Sequence, residues 1–261
     1  LVESREERDR TGRFLADGMR FVAWAAESRL YAGHIETLVV APTLLHHPFG
    51  HRLRKDLAAR GVPVVEVGEA VYKRLAQAPE PQGIAAVLRQ RWEPMHRAHP
   101  DAGLCWVALD TVRSAGNLGT VLRTMEAVGA AGLVLIGDQV DPFAPQVVRA
   151  TMGATFHLRF VRATPEEFAT WRARHGVALV GTSPHAADEY QGACYPERVA
   201  LWIGGERQGL SGEQMASCDR VVRIPMVGRS DSLNLSVAAS VLLYEVFNQR
   251  RRGGPSGFAV E

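Results

Sequence analysis

The chain has 261 residues, 46% apolar and 22% charged, the balance of a globular protein with material for a real core. At roughly 150 residues per domain, that length suits one or two domains. Thirty Lys+Arg against 28 Asp+Glu leave a net +2, which excludes both a polybasic tail protein and an acidic disordered one. No apolar run approaches the roughly 18 residues of a membrane span. The opening LVESREERDRTGR has no apolar signal core, so the expectation is a cytoplasmic protein with no membrane partner. Cys105, Cys194 and Cys218 are an odd, widely spaced trio, giving neither a disulfide framework nor a CxxC metal knuckle. The scattered histidines, His46–His47 included, offer no ligand set, so no metal is expected. Only Lys55 and Lys73 are lysines among the cations. Arginine suits bidentate contact with phosphates. A GC-rich genome produces the same bias, so charge alone neither demands nor excludes a nucleic-acid partner.

Phe14 to Arg29 carries apolar residues at helical spacing (Phe14, Phe21, Val22, Ala25) and predicts a helix. IETLVVA at 35–41 suits a buried strand. Leu53 and Leu57 share a helical face that Gly61 can terminate in the left-handed conformation. VPVVEV at 62–67 reads as a strand, 69–78 as a helix and GIAAVLR at 83–89 as a closing strand. Residues 1–91 therefore predict a small α/β layer sandwich. RWEPMHRAHPDAG follows, with two prolines, several charges and no periodicity, and predicts a flexible linker over 92–103.

A second domain is expected over 104–252, with a tail at 253–261. Apolar runs at 104–109, 132–136, 177–181 and 199–203 alternate with helical stretches at 117–128 and 165–175. Parallel strands with crossover helices have this pattern, so the fold class is α/β. A shorter strand, VVRIPM, occupies 221–226, and an amphipathic helix runs from Ser232 to Arg250. An open parallel sheet binds ligands beyond the carboxyl ends of its strands.

Three loops there carry unusual residues. In LDTVRSAGNLGTVLRT (109–124), Asn117 stands where a helix N-cap would, and Arg123 places a charge in an apolar helix, where it needs an anion or water. In LWIGGERQGLS (201–211), closely spaced glycines let the backbone approach a ligand, yet neither GxGxxG nor GxxxxGK[ST] is present. In IPMVGRSDSLNLSVAASVLLYEV (224–246), Ser232 can cap the last helix and Asn234 places an amide in its first turn, where backbone N–H groups stand free. Each loop alone has a plain structural explanation: a capped turn, a glycine loop, a capped helix.

Together they resemble the SpoU class of the SPOUT superfamily, S-adenosylmethionine-dependent RNA ribose 2′-O-methyltransferases. The resemblance rests on N-x-G-x-x-x-R at Asn117, Gly119 and Arg123, and on G-x-E-x-x-G-L-S around Glu206. It ends with I-P-M…S-L-N-x-S-V-A from Ile224 to Ala238. Upstream, FLADGMRFVAWAAES and PQGIAAV resemble the substrate-binding domain that precedes many of these enzymes, itself similar to an RNA-binding ribosomal protein. The second motif departs from the usual G-N-E-G or G-S-E-G: Gly205 loses a polar side chain, and Arg207 adds a charge near the RNA side.

The resemblance implies a trefoil-knotted catalytic domain, a homodimer whose active site takes residues from both subunits, and an RNA partner, ribosomal favoured over transfer RNA. It implies that S-adenosylmethionine lies against Thr182, Ser183, Gly204, Gly205, Ile224, Met226 and Leu233. Arg123 would activate the ribose hydroxyl or, since a guanidinium has a pKa above about 12, bind the adjacent phosphate. Asn117 and Glu206 would hold Arg123 and the loops, while Ser232 and Asn234 would position the ribose and the helix start. A non-catalytic RNA-binding scaffold stays open as an alternative. A nucleotide-dependent oxidoreductase is disfavoured by the missing GxGxxG and ribose-binding acid.

Overall fold

Each of the two apolar stretches of the sequence builds its own sheet. The structure is a computed structural model that describes residues 1–76, 78–137 and 140–253. The tail expected at 253–261 lies outside the described residues from Gly254 onward. Among the described residues no helix is long and apolar enough to cross a membrane.

The first unit comprises residues 1–91 and 141–157. Its elements are α1 (Arg5–Thr11), β1 (Arg13–Asp17), α2 (Met19–Glu27), β2 (Ile35–Val40), α3 (Pro48–Ala59), β3 (Val64–Glu66), α4 (Glu69–Leu75) and β4 (Ile84–Arg89). The strand order is β1-β4-β2-β3, with β4 antiparallel to both β1 and β2 and β3 parallel to β2. The helix expected from Phe14 is a strand as far as Asp17. Phe14, Leu15 and Ala16 are buried in succession, and Gly18, at φ +106°, turns the chain before α2. Three adjacent buried positions suit a strand covered on both faces, not one helical stripe.

Beyond Arg91 the chain enters the second unit through β5 (Trp106–Leu109), α5 (Ala115–Ala127) and β6 (Gly132–Ile136), then returns to the first with α6 (Pro145–Ala150). A buried ion pair holds the returning segment. The Arg8 Nε donates to Asp141 Oδ2 at 2.6 Å, and neither residue is more than 4% exposed. Asp141 Oδ1 accepts from the Phe143 N–H at 2.9 Å, and Arg8 also donates to the Leu1 carbonyl at 2.6 Å. The Phe14 ring lies 4.9 Å from Phe143 and 6.4 Å from Phe156, and Tyr31 meets Phe156 edge-on at 5.6 Å. At Gly153, φ +100°, an added Cβ would lie 2.5 Å from the Trp24 ring, so only glycine fits. Residues 1–91 thus depend on 141–157 for much of their aromatic core, contrary to the expectation that they form a domain by themselves.

The second unit continues with β7 (Arg159–Ala163), α7 (Pro165–His175), β8 (Ala178–Thr182), β9 (Asp188–Glu189), β10 (Val199–Ile203), α8 (Gly212–Ala216), β11 (Arg220–Arg223) and α9 (Leu235–Arg252). The sheet order is β7-β6-β5-β10-β8-β11-β9, parallel throughout. Trp106, Phe168, Trp171 and Trp202 share one core cluster on this sheet. The expected linker at 92–103 is packed against that core and is not slack. Glu93 N–H donates to the Phe160 carbonyl at 2.8 Å, Trp171 Nε1 donates to Ala98 O at 2.8 Å, and Met95 and Ala98 are buried. Prolines and charges concealed this from periodicity, because the segment is anchored by single contacts rather than by a repeating face. Strand β7 is not evident in the sequence for a similar reason: in RFVRA two arginines break up a short apolar stretch at a sheet edge. Strands β5, β10, β8 and β11 are neighbours, so their carboxyl ends share one edge.

Asp141→Ala removes one partner of the buried pair and is expected to cost about 3 kcal/mol, read by urea unfolding. A 1–91 fragment is expected to show no cooperative melt by circular dichroism, whereas the full chain does. Bonding first to Arg89 and then to Arg13 (2.5 Å) holds the Glu36 carboxyl below the usual carboxylate range. A depressed folded pKa contributes stability above the unfolded value and loses it as pH falls through the folded one. Between pH 7 and pH 3, Glu36→Gln is therefore expected to lose less of its midpoint denaturant concentration than wild type.

Candidate active site

The glycine loop after β10 is closed by its own backbone. Gly205 and Gly209 exchange backbone bonds of 3.1 and 3.0 Å, closing the loop on itself. At Gly204 an added Cβ would stand 2.2 Å from the Gly209 carbonyl carbon and 2.3 Å from the Leu210 nitrogen, so no side chain fits. The loop runs into α8, capped by Ser211. Its hydroxyl accepts from Gln214 N–H at 3.1 Å, and its own N–H donates to Gln214 Oε1 at 2.8 Å. The Gln214 amide then donates to Asp110 Oδ2 at 2.7 Å, and Glu206 N–H to the Thr111 carbonyl at 3.3 Å, tying this loop to the one after β5.

Side chains complete the tie. Glu206 Oε1 accepts from Ser114 N–H at 3.1 Å and from the Asn117 amide at 2.7 Å. Asn117 Oδ1 accepts from the Asn234 amide at 3.1 Å. Asn234 Oδ1 accepts from the N–H of Ser236 at 2.9 Å and its hydroxyl at 2.7 Å. One chain of bonds therefore joins the glycine loop to the starts of α5 and α9.

Two expected caps are corrected. Ser114, not Asn117, caps α5, its hydroxyl accepting from the Asn117 N–H at 3.2 Å. Asn234, not Ser232, caps α9. Asn117 lies in the first turn, which frees its side chain to bridge both ways. Arg123 is also corrected: it is exposed, with no hydrogen-bond or ion-pair partner among the described residues, and bonds neither Asn117 nor Glu206. Six residues beyond Asn117, it lies about 9 Å further along the helix axis.

A cavity of about 390 Å³ opens between the loops after β8, β10 and β11. Thr182, Ser183, Gly204, Gly205, Ile224, Met226 and Leu233 all line it, together with Glu206 and Ser232. Asn117, Arg123 and Asn234 do not. Ile203, Val222 and Leu235 add to its apolar wall, and hydroxyls and loop backbone supply a few polar groups, the composition of a small-molecule site. Among the described residues, no group of three or more His, Cys, Asp or Glu is placed to hold a metal ion.

Comparison with known proteins identifies the family. The SpoU rRNA Methylase family matches residues 105–244, and an MRM3-like substrate binding domain matches residues 2–86. The chain belongs to the SpoU rRNA methylase family. A 23S rRNA (uridine(2479)-2′-O)-methyltransferase of Streptomyces viridochromogenes is 32% identical, over 97% of this chain and 88% of its own length. A 23S rRNA (guanosine(2553)-2′-O)-methyltransferase of Bacillus subtilis is 28% identical, over 94% and 92%. An AdoMet-bound rRNA methyltransferase from Sinorhizobium meliloti superposes with a TM-score of 0.85 at 36% identity, covering 98% of this chain and 93% of that one.

Within this SpoU fold, the sequence reading missed the residues that hold the site residues. Ser114 bonds Glu206, Gln214 bonds Asp110, and Ser236 bonds Asn234 twice. The S-x-x-Q spacing of Ser211 and Gln214 signalled a capping box. Nothing in the sequence signalled that Gln214 also reaches Asp110. Glu206 is exposed, so its bonds add little stability, and Glu206→Ala is expected to leave the melting temperature within 2–3 °C. It is expected to lower kcat for RNA methylation at least about tenfold, because the two helix starts lose their common anchor. An unchanged kcat would sink that role.

Proposed function

We propose that this chain transfers a methyl group from S-adenosylmethionine to a ribose 2′-hydroxyl of ribosomal RNA. The observation that carries the proposal is the single cavity in which an apolar slot, a glycine loop and Glu206 converge. The residues fit the group. Ile224, Met226 and Leu233 offer flat apolar contact for an adenine, Gly204 lets backbone approach it, and Thr182 and Ser183 offer hydroxyls at its edge. When bound, S-adenosylmethionine supplies an electrophilic methyl on sulfur.

The rest falls to the protein. A hydroxyl is a weak nucleophile, so it must be aligned and must lose its proton as the bond forms. Ser232 stands at the cavity wall to orient the ribose, while Glu206, Asn117 and Asn234 keep the loops in register. Arg123 does not line its own chain's cavity, and its guanidinium, without a partner among the described residues, is available for an RNA phosphate or the ribose.

A homodimer is part of the same proposal. On α9, Val237 and Tyr244 are each 47% exposed, an apolar stripe at helical spacing beside α5, which also carries Arg123. A second copy covering that face could bring one chain's Arg123 to the other's cavity. Recognition of RNA by the first unit, the knot and a cytoplasmic location complete the reading, supported by the family to which the chain belongs. Ribosomal RNA is preferred over transfer RNA because both the Streptomyces and Bacillus relatives are named for 23S rRNA.

Mapping ribose methylation across ribosomal and transfer RNA, with and without the gene, tests the function. One 23S position is expected to lose its mark; a lost transfer-RNA mark would overturn the choice of substrate. Arg123→Ala is expected to lower turnover by at least about a hundredfold while S-adenosylmethionine affinity by calorimetry stays within about threefold. Arg123→Lys is expected not to restore full activity, since an ammonium lacks the planar fork. The active protein is expected to sediment as a dimer.

A further inference from the structure

A second pocket, of about 290 Å³, lies against the same glycine loop and is walled by the loop after β5. Gly205, Glu206 and Arg207 line both cavities, so the loop is a shared partition. No apolar side chain larger than a glycine's hydrogen lines the second pocket: its walls carry Asp110, Thr111, Arg113, Glu206, Arg207 and Gln208. That composition does not suit a nucleobase, which takes apolar or aromatic surface.

The charges are unevenly engaged. Asp110 already accepts from Gln214, and Glu206 from Ser114 and Asn117. Arg113 and Arg207 are exposed and have no hydrogen-bond or ion-pair partner among the described residues. Two uncommitted guanidiniums call for an anion, and the two carboxylates retain lone pairs for hydroxyl donors. A phosphate joined to a hydroxylated sugar presents both.

We infer that this pocket seats the sugar-phosphate of the ribonucleotide next to the one methylated, with Arg113 and Arg207 on its phosphate and Asp110 or Glu206 accepting from its 2′-hydroxyl. The inference rests on the RNA methyltransferase reading. A ribose presented to the first cavity carries a phosphodiester on each side, and a strand crossing the partition places one of them in the second pocket. Arg207 occupies the loop position that usually holds glycine in the resembling pattern, so the site is a property of this chain.

The test uses the full-length protein, an unmodified 23S rRNA transcript, and Arg113→Gln, Arg207→Gly and the double variant. Arg113 lines only the second pocket, so Arg113→Gln is expected to keep S-adenosylmethionine affinity and melting temperature unchanged. Both guanidiniums serve one phosphate, so the double variant is expected to flatten the slope of log K for RNA binding against log salt by about 0.7, and each single variant by less. KM for RNA is expected to rise about tenfold in the double variant, and kcat to stay within about twofold of wild type in Arg113→Gln. Salt slopes and KM equal to wild type in the double variant would overturn the inference. So would Arg113-dependent binding of free AMP or inorganic phosphate with unchanged RNA slopes, which would make the pocket a small-anion site. If the wild-type protein neither bound nor methylated any rRNA or transfer RNA, the underlying activity would fail instead, and the inference with it.

Discussion

The second unit depends on one constraint: loops from separate strands must be held together where their strands end. A parallel sheet brings the carboxyl ends of β5, β10, β8 and β11 to one edge but leaves the loops beyond them free to diverge. The bond chain from Glu206 through Asn117 to Asn234 closes that gap. It links three segments separated by scores of residues, using an exposed carboxylate and two amides. Because the bonds face water, they contribute position far more than stability.

Glycine and cap chemistry make that bond chain possible. Gly204 permits a backbone approach that any Cβ would block, which lets the loop fold back at Gly209 and present Glu206 outward. Ser114 and Ser211 satisfy the helix starts with their own hydroxyls. That leaves the Asn117 amide and the Gln214 amide for contacts between loops. Had Asn117 been the cap, its side chain would have been spent on its own backbone.

In the first unit the comparable device is buried. Arg8 and Asp141 are distant in sequence, and their pair is shielded from water, so losing either partner strands a charge. The aromatic contacts of Phe14 and Tyr31 with Phe143 and Phe156 surround the same returning segment. The unit is consequently discontinuous in sequence while continuous in packing.

By itself the sequence determined what periodicity and local chemistry encode. The runs at 35–41, 132–136 and 199–203 became strands because they are short, mostly apolar and carry Val or Ile at several positions. Of the residues in the family motifs, Gly204, Glu206, Ile224, Met226, Ser232 and Leu233 line one cavity, Asn117 and Asn234 are tied to Glu206 by the bond chain, and Arg123 stands apart. Only the tertiary structure decided which residue caps which helix, that Phe14 begins a strand, that 92–103 is packed, and that 141–157 belongs with the first unit. The last three of those outcomes turn on a partner far along the chain, β4 for Phe14, Phe160 for Glu93 and Arg8 for Asp141, while the caps are local bonds that leave Asn117 free for the distant Asn234. A periodic face is written into neighbouring residues, whereas a single long-range contact leaves no local trace until the chain has folded.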